Sequence, residues 1–173
     1  MEENFSHIQL PNFVIADWFK HHLIDEKVEK TTSKPNNNEQ TISFFGNNKK
    51  NIVILVHETD GVFISDSSLS LLEKLLIACK LTLDDVAIIN LSKNNVNYKD
   101  LKQQLQPQTL IFMGIEPSNI KLPFIFPFHK IQAYDNCKML ITTSIESMQQ
   151  TQNPKVLQEK KELWMLLKQL FGL

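Results

Sequence analysis

The chain has no arginine. All eighteen of its basic residues are lysine, set against nineteen acidic residues for a formal net charge of −1. Arginine's rigid fork grips phosphates and guanine edges with paired hydrogen bonds, a geometry that lysine cannot copy. Its absence argues against sequence-specific DNA reading by this chain alone, and the near-zero charge against global attraction to nucleic acid or anionic membranes. An AT-rich coding sequence accounts for the same bias toward Lys, Asn and Ile. Glycine is also scarce, at four residues. Gly46, Gly61 and Gly114 stand isolated, so neither a phosphate-binding loop nor a dinucleotide fingerprint exists. Two cysteines, Cys79 and Cys137, lack CxxC spacing and are expected as reduced thiols. The five histidines are scattered apart from His21 and His22, which leaves no metal-ligand cluster, and no cofactor is expected. No apolar run approaches the ~20 residues that span a bilayer. The polar start MEENFSHIQ does not suit a signal peptide, so the expected location is the cytoplasm.

What is present is apolar and patterned. Apolar residues make up 42% of the chain, with eleven phenylalanines, enough for a sizeable core in one domain. Residues 12–24, NFVIADWFKHHLI, repeat apolar side chains at helical intervals (Val14 and Trp18, Ile15 and Phe19, then Leu23). Residues 26–40 are polar, with a proline and three consecutive asparagines, and read as a linker. Residues 1–40 are therefore expected as an amphipathic segment on a polar tether, either a docking peptide or an arm packed on the core. The single α/β domain is expected over 41–173.

Within it, TISFF and NIVILV flank GNNKKN, a hairpin signal. Leu69, Leu72, Leu76 and Cys79 mark one helix face behind a serine-rich N-cap. DDVAIINL (84–91) and TLIFMG (109–114) read as buried strands around a weaker helix at Tyr98–Leu105, which Pro107 stops. KIQAY and KMLITT predict two more strands around a turn at Asp135 and Asn136. Asn153 and Pro154 open a last helix, whose stripe runs Val156, Leu163, Trp164, Leu167, Leu170 and Phe171. The alternation predicts a three-layer α/β/α domain with a mixed, mostly parallel sheet of about five strands.

Candidate chemistry is thin. His57 and Glu58 follow a strand at its carboxyl end, where ligand sites of α/β proteins lie, with Asp60 just beyond. A loop after a buried strand is polar in any case, and that is the preferred reading. Asp84 and Asp85 read as a loop leading into a strand, Ser144 as a helix N-cap after Thr142 and Thr143, and His129 has no nearby partner in sequence. Phe124, Phe126 and Phe128 alternate with prolines in an irregular segment, 116–128, expected as a buried loop rather than a partner-binding edge. Lys160, Lys161 and Lys168 read as the solvated side of the last helix. No catalytic residue is assigned.

The order of segments resembles the psi subunit family of bacterial DNA polymerase III, an accessory component of the clamp loader. The likeness runs from about residue 12 to 173. It rests on NFVIADWF before the TISFF–NIVILV pair, on KLTLDDVAIINL, and on TTSIESM followed by Asn153-Pro154, Lys160 or Lys161, and Leu163-Trp164. The same ending and strand order resemble the uracil-DNA glycosylase fold. Where such enzymes carry a His-Pro-Ser motif this chain reads Thr142-Thr143-Ser144, and no Gly-Pro-rich water-activating motif or iron–sulfur cysteine set occurs. The resemblance implies a non-catalytic subunit that bridges the clamp-loader ATPase to a chi-like subunit or single-strand DNA-binding protein. By the same resemblance Phe13, Trp18, Phe19 and Leu23 are the docking residues. The alternative is a glycosylase-like enzyme, with His57, Glu58 and Asp60 as its available groups, or a nucleic-acid-binding relative that lacks the usual catalytic residues.

Overall fold

Three short runs, IVILV, VAIIN and TLIFM, are buried at every position, as strands covered on both faces must be. The structure, a computed structural model, describes residues 41–150 and 153–173. These residues form an α/β unit with a mixed six-stranded sheet. Its strands are β1 (Phe45–Gly46), β2 (Ile52–Val56), β3 (Val86–Asn90), β4 (Thr109–Met113), β5 (Ile131–Tyr134) and β6 (Cys137–Thr142). Their order across the sheet is β1-β3-β2-β4-β6-β5. The four central strands run parallel, and β1 and β5 close the two edges antiparallel. Among the described residues there are four α-helices: α1 (Asp66–Ala78), α2 (Tyr98–Leu105), α3 (Ile145–Gln149) and α4 (Pro154–Phe171).

The pleat sorts the core. Ile52, Ile54 and Val56 pack with Leu72 and Leu76 of α1, Ile145 and Met148 of α3, and Leu163, Leu167 and Leu170 of α4. Val53 and Leu55, one residue out of step, pack with Leu101 and Leu105 of α2 and with Ile120 and Leu122. Burying each such side chain is worth about 1.5–3 kcal/mol, so a one-residue slip in β2 would exchange one whole set of contacts for the other. From β2 to β3 the chain crosses with α1. From β3 it returns past β2 to β4 with α2, which packs with residues of the opposite parity. Direction and face reverse together, so both crossovers have the same hand.

Two turns are set by local chemistry. Asp135 and Asn136 both have positive φ (51° and 58°), the type I′ geometry that joins β5 to β6 as expected. Asn153 caps α4 by accepting from the Lys155 N–H at 3.0 Å, with Pro154 in the first turn and Gly172 left-handed at the end. The expected helix faces are otherwise as read, down to Trp164 and Phe171 lying partly buried against the core. The boundaries Tyr98–Leu105 hold because Asn97 caps one end, while Gln106, at φ 45°, turns the chain out before Pro107.

Three expectations need correction. The sheet has six strands where about five were expected. TISFF and NIVILV do not form a hairpin: only Phe45 and Gly46 pair, and they pair with Ile88 and Ala87 of β3. Both sides of β2 are taken by parallel neighbours, which leaves it no free edge for β1. Asn48, Lys49 and Lys50 instead donate their backbone N–H groups to Val86, Asp84 and Asp85, and Asn51 at φ 53° then turns into β2. Gly46 makes this approach possible, since a Cβ there would stand 2.3 Å from the Val86 carbonyl oxygen. The phenylalanine-rich segment is not a buried loop either. Phe124, Ile125 and Phe128 are exposed, and Phe126 alone of the three phenylalanines packs against the core. Its prolines Pro123 and Pro127 cannot donate to a ladder, and no strand forms there.

Candidate functional site

In an open α/β sheet, ligand sites favour the point where successive connections leave in opposite directions. Here β2 leads toward β3 and β4 leads toward β6, so that point lies beyond the carboxyl ends of β2 and β4. The residues there are His57 and Glu58 on one side and Gly114 on the other.

Glu58 turns inward and is 3% exposed. Its Oε2 accepts from the Ser65 N–H at 2.7 Å, where α1 begins. Its backbone is gripped by Asn90, at the end of β3 and fully buried. Asn90 Nδ2 donates to the Glu58 carbonyl at 2.8 Å, and Asn90 Oδ1 accepts from the Glu58 N–H at 3.1 Å. The same Oδ1 accepts from the Ser92 N–H at 3.1 Å and from the Ser92 hydroxyl at 2.9 Å, and that hydroxyl also contacts the Glu58 carbonyl oxygen. Glu58 thus clips the ends of β2 and β3 to the start of α1. Its second oxygen, Oε1, is buried without a hydrogen-bond partner. His57 and Asp60 are both exposed, so the three residues proposed from sequence are not brought together as a catalytic group.

On the other side the strand ends close on each other. Gly114 donates its N–H to the Thr142 carbonyl at 2.8 Å. A Cβ on Gly114, which sits at φ 68°, would stand 2.5 Å from Ser144 Cβ. No side chain fits between β4 and β6 at this level. Ser144 caps α3 by accepting from the Ser147 N–H at 3.2 Å, as read from sequence, and Thr142 is fully buried in β6. Gln149 of α3 reaches Ser68 of α1 at 2.9 Å, which ties two helices together at the same end of the sheet.

The remaining polar candidates pair with side chains elsewhere in the fold. Asp84 and Asp85 lie in a 3-10 turn, Leu83–Asp85, and pair with Lys49 at 2.6 Å and Lys50 at 3.3 Å. The Thr82 backbone N–H, with help from Lys50, holds the Asp85 carboxyl below the usual range, and Asp84 raises Lys49. His129, without a partner nearby in sequence, meets Glu162 of α4 at 3.0 Å. No local signal could have found that contact, because 33 residues separate the two. Both cysteines are buried and free; burial raises Cys79 and pushes Cys137 up to about 11. Among the described residues no group of three His, Cys, Asp or Glu side chains is placed to hold a metal ion, and no helix is long and apolar enough to cross a membrane.

Phe13, Trp18, Phe19 and Leu23, with the 12–24 segment and the 26–40 linker, lie outside the described residues. The surface that sequence reasoning undervalued is aromatic. Phe124 and Tyr134 meet at 4.8 Å between ring centroids, Tyr98 and Tyr134 at 6.0 Å, and Phe124 and Phe126 at 6.3 Å. Burial, followed by Cys137 and Asp135, holds the Tyr98 hydroxyl well above its ordinary range. No family model matches the chain, and no curated protein matches it.

Proposed function

We propose that this chain is a non-catalytic, psi-like accessory subunit of a replicative polymerase, cytoplasmic, with a three-layer body of the uracil-DNA glycosylase-like kind. The arm carrying Phe13, Trp18, Phe19 and Leu23 docks on the clamp-loader ATPase. The α/β body engages a second replication protein, either a chi-like subunit or single-strand DNA-binding protein. The observation that carries the non-catalytic part is that the strand ends at the switch point are tied to one another. Glu58, Asn90 and Ser92 spend their hydrogen bonds on one another and on the Ser65 N–H, while Gly114 abuts Ser144. A base-flipping enzyme needs an open pocket there with groups free to read a base edge.

The test has two arms. The full chain should bind the clamp-loader ATPase from the same cells, and a chain lacking residues 1–30 should not, while keeping the circular dichroism of a folded body. Neither chain should release uracil from single-stranded DNA. Unchanged binding by the truncated chain would remove the docking claim, and base release would replace the whole reading with the glycosylase-like one.

A further inference from the structure

The sheet ends at β5, which pairs with β6 on one side and with no other strand among the described residues. Its hairpin closes at Tyr134 opposite Cys137 across a two-residue turn. In such a ladder Tyr134 and Gln132 direct their backbone groups at β6, and Ile131 and Ala133 direct theirs outward. Natural edges this open are usually shortened, charged or covered. Beside this one lies an apolar platform. Ile125 is 100% exposed, Phe128 55% and Phe124 42%, and Phe124 leans on Tyr134 of the strand itself. The charge around it is one-sided. Between residues 121 and 138 the exposed cations are Lys121, Lys130 and Lys138, and the sole carboxylate, Asp135, is already paired with Lys102 at 3.4 Å. The nearby Glu162 is held by His129.

We propose that β5 is a docking edge for an extended, acidic segment of a protein partner. The segment adds a strand beside Ile131 and Ala133 and lays alternate apolar side chains on Phe124, Ile125 and Tyr134. Backbone hydrogen bonds give the affinity, and the lysine rim selects acidic over basic sequences. A second copy of the chain fits less well, because pairing β5 with itself brings the same lysines face to face. Single-stranded nucleic acid also fits less well. Ile125 offers no ring for stacking, and the Phe124 and Tyr134 rings are tilted by 59° against each other rather than set out as parallel platforms. The inference stands whether or not the body belongs to a psi-like subunit.

The experiment uses the full chain and fluorescence anisotropy. The probe is a short labelled peptide alternating aspartate with phenylalanine and valine. Its lysine-for-aspartate counterpart and an oligothymidine serve as comparisons. The acidic peptide should bind, with the basic one at least about tenfold weaker. Ala133→Pro removes an outward N–H without touching the β6 ladder, and it should weaken the acidic peptide by about tenfold or more. Lys130→Glu and Ile125→Asp, both on exposed positions, should do the same and keep the assay decisive if the proline variant unfolds. Failure of the acidic peptide to bind, equal binding of the basic one, or full affinity in folded Ala133→Pro would each overturn the proposal. Tighter binding of oligothymidine, lost in the same variants, would overturn it in favour of a nucleic-acid surface.

Discussion

Replacing Asn90 by alanine tests the idea that the strand ends at the switch point are a structural clip. Asn90 is fully buried and makes four hydrogen bonds through its side chain, to the Glu58 N–H and carbonyl and to the Ser92 N–H and hydroxyl. Ser92 can still satisfy the Glu58 carbonyl after the substitution, because its hydroxyl already contacts that oxygen. The Glu58 and Ser92 N–H groups cannot be rescued in the same way. Each stranded donor costs about 1–3 kcal/mol, and water reaching the half-buried Ser92 offsets part of its share, so a total of about 3 kcal/mol is expected. That is a large fraction of a typical domain's stability and corresponds to a melting temperature lower by about 6–12 °C for a chain of this size. Urea denaturation should show a lower midpoint with an unchanged slope, since the unfolded surface is the same. Asn95→Ala, at an exposed neighbour, should stay within about 0.5 kcal/mol of the parent. A cost below about 1 kcal/mol for Asn90→Ala would refute the reasoning and free these polar groups for another role.

Further outcomes follow from other contacts. Gly46→Ala should lower the melting temperature more than any exposed alanine substitution, because its Cβ would press on the Val86 carbonyl oxygen from a backbone at φ 103°; an unchanged melt would place β1 elsewhere. Asp85 is held below the ordinary carboxylate range by the Thr82 N–H first and Lys50 next, so its stabilisation is present above that range and is lost as pH falls through the depressed value. Asp85→Asn should therefore flatten the acid limb of stability against pH and change little at neutral pH beyond the loss of its own bonds. In the native protein at pH 8, Cys79 and Cys137 should resist a thiol reagent and should both react once urea unfolds the chain, since burial raises both thiols. Rapid native labelling of either cysteine would contradict its burial.

The central strands were legible because burial on both faces demands uninterrupted apolar runs, and β2, β3 and β4 are such runs. Helix ends were legible where a side chain does the capping, as at Asn153 and Ser144. Pairing was not. The Gly46–Asn51 turn has hairpin chemistry, yet the choice of β3 over β2 depends on which neighbours β2 already has, and that is decided by crossovers dozens of residues away. The aromatic segment was misjudged because apolar composition does not say which side chains of an irregular stretch face water; Phe126 packs inward and Phe124 does not. At the switch point Glu58 was visible as a residue following a strand, but its bonds to Asn90 and Ser65 are set by tertiary folding.

The central claim is that the chain docks on the clamp-loader ATPase through its aromatic arm. The most direct measurement is the dissociation constant of the full chain for that ATPase, parent against Trp18→Ala. Truncating a buried interface aromatic costs about 2 kcal/mol or more, so the variant should bind roughly thirtyfold more weakly. The parent failing to bind, or equal affinity for the two, would contradict the account.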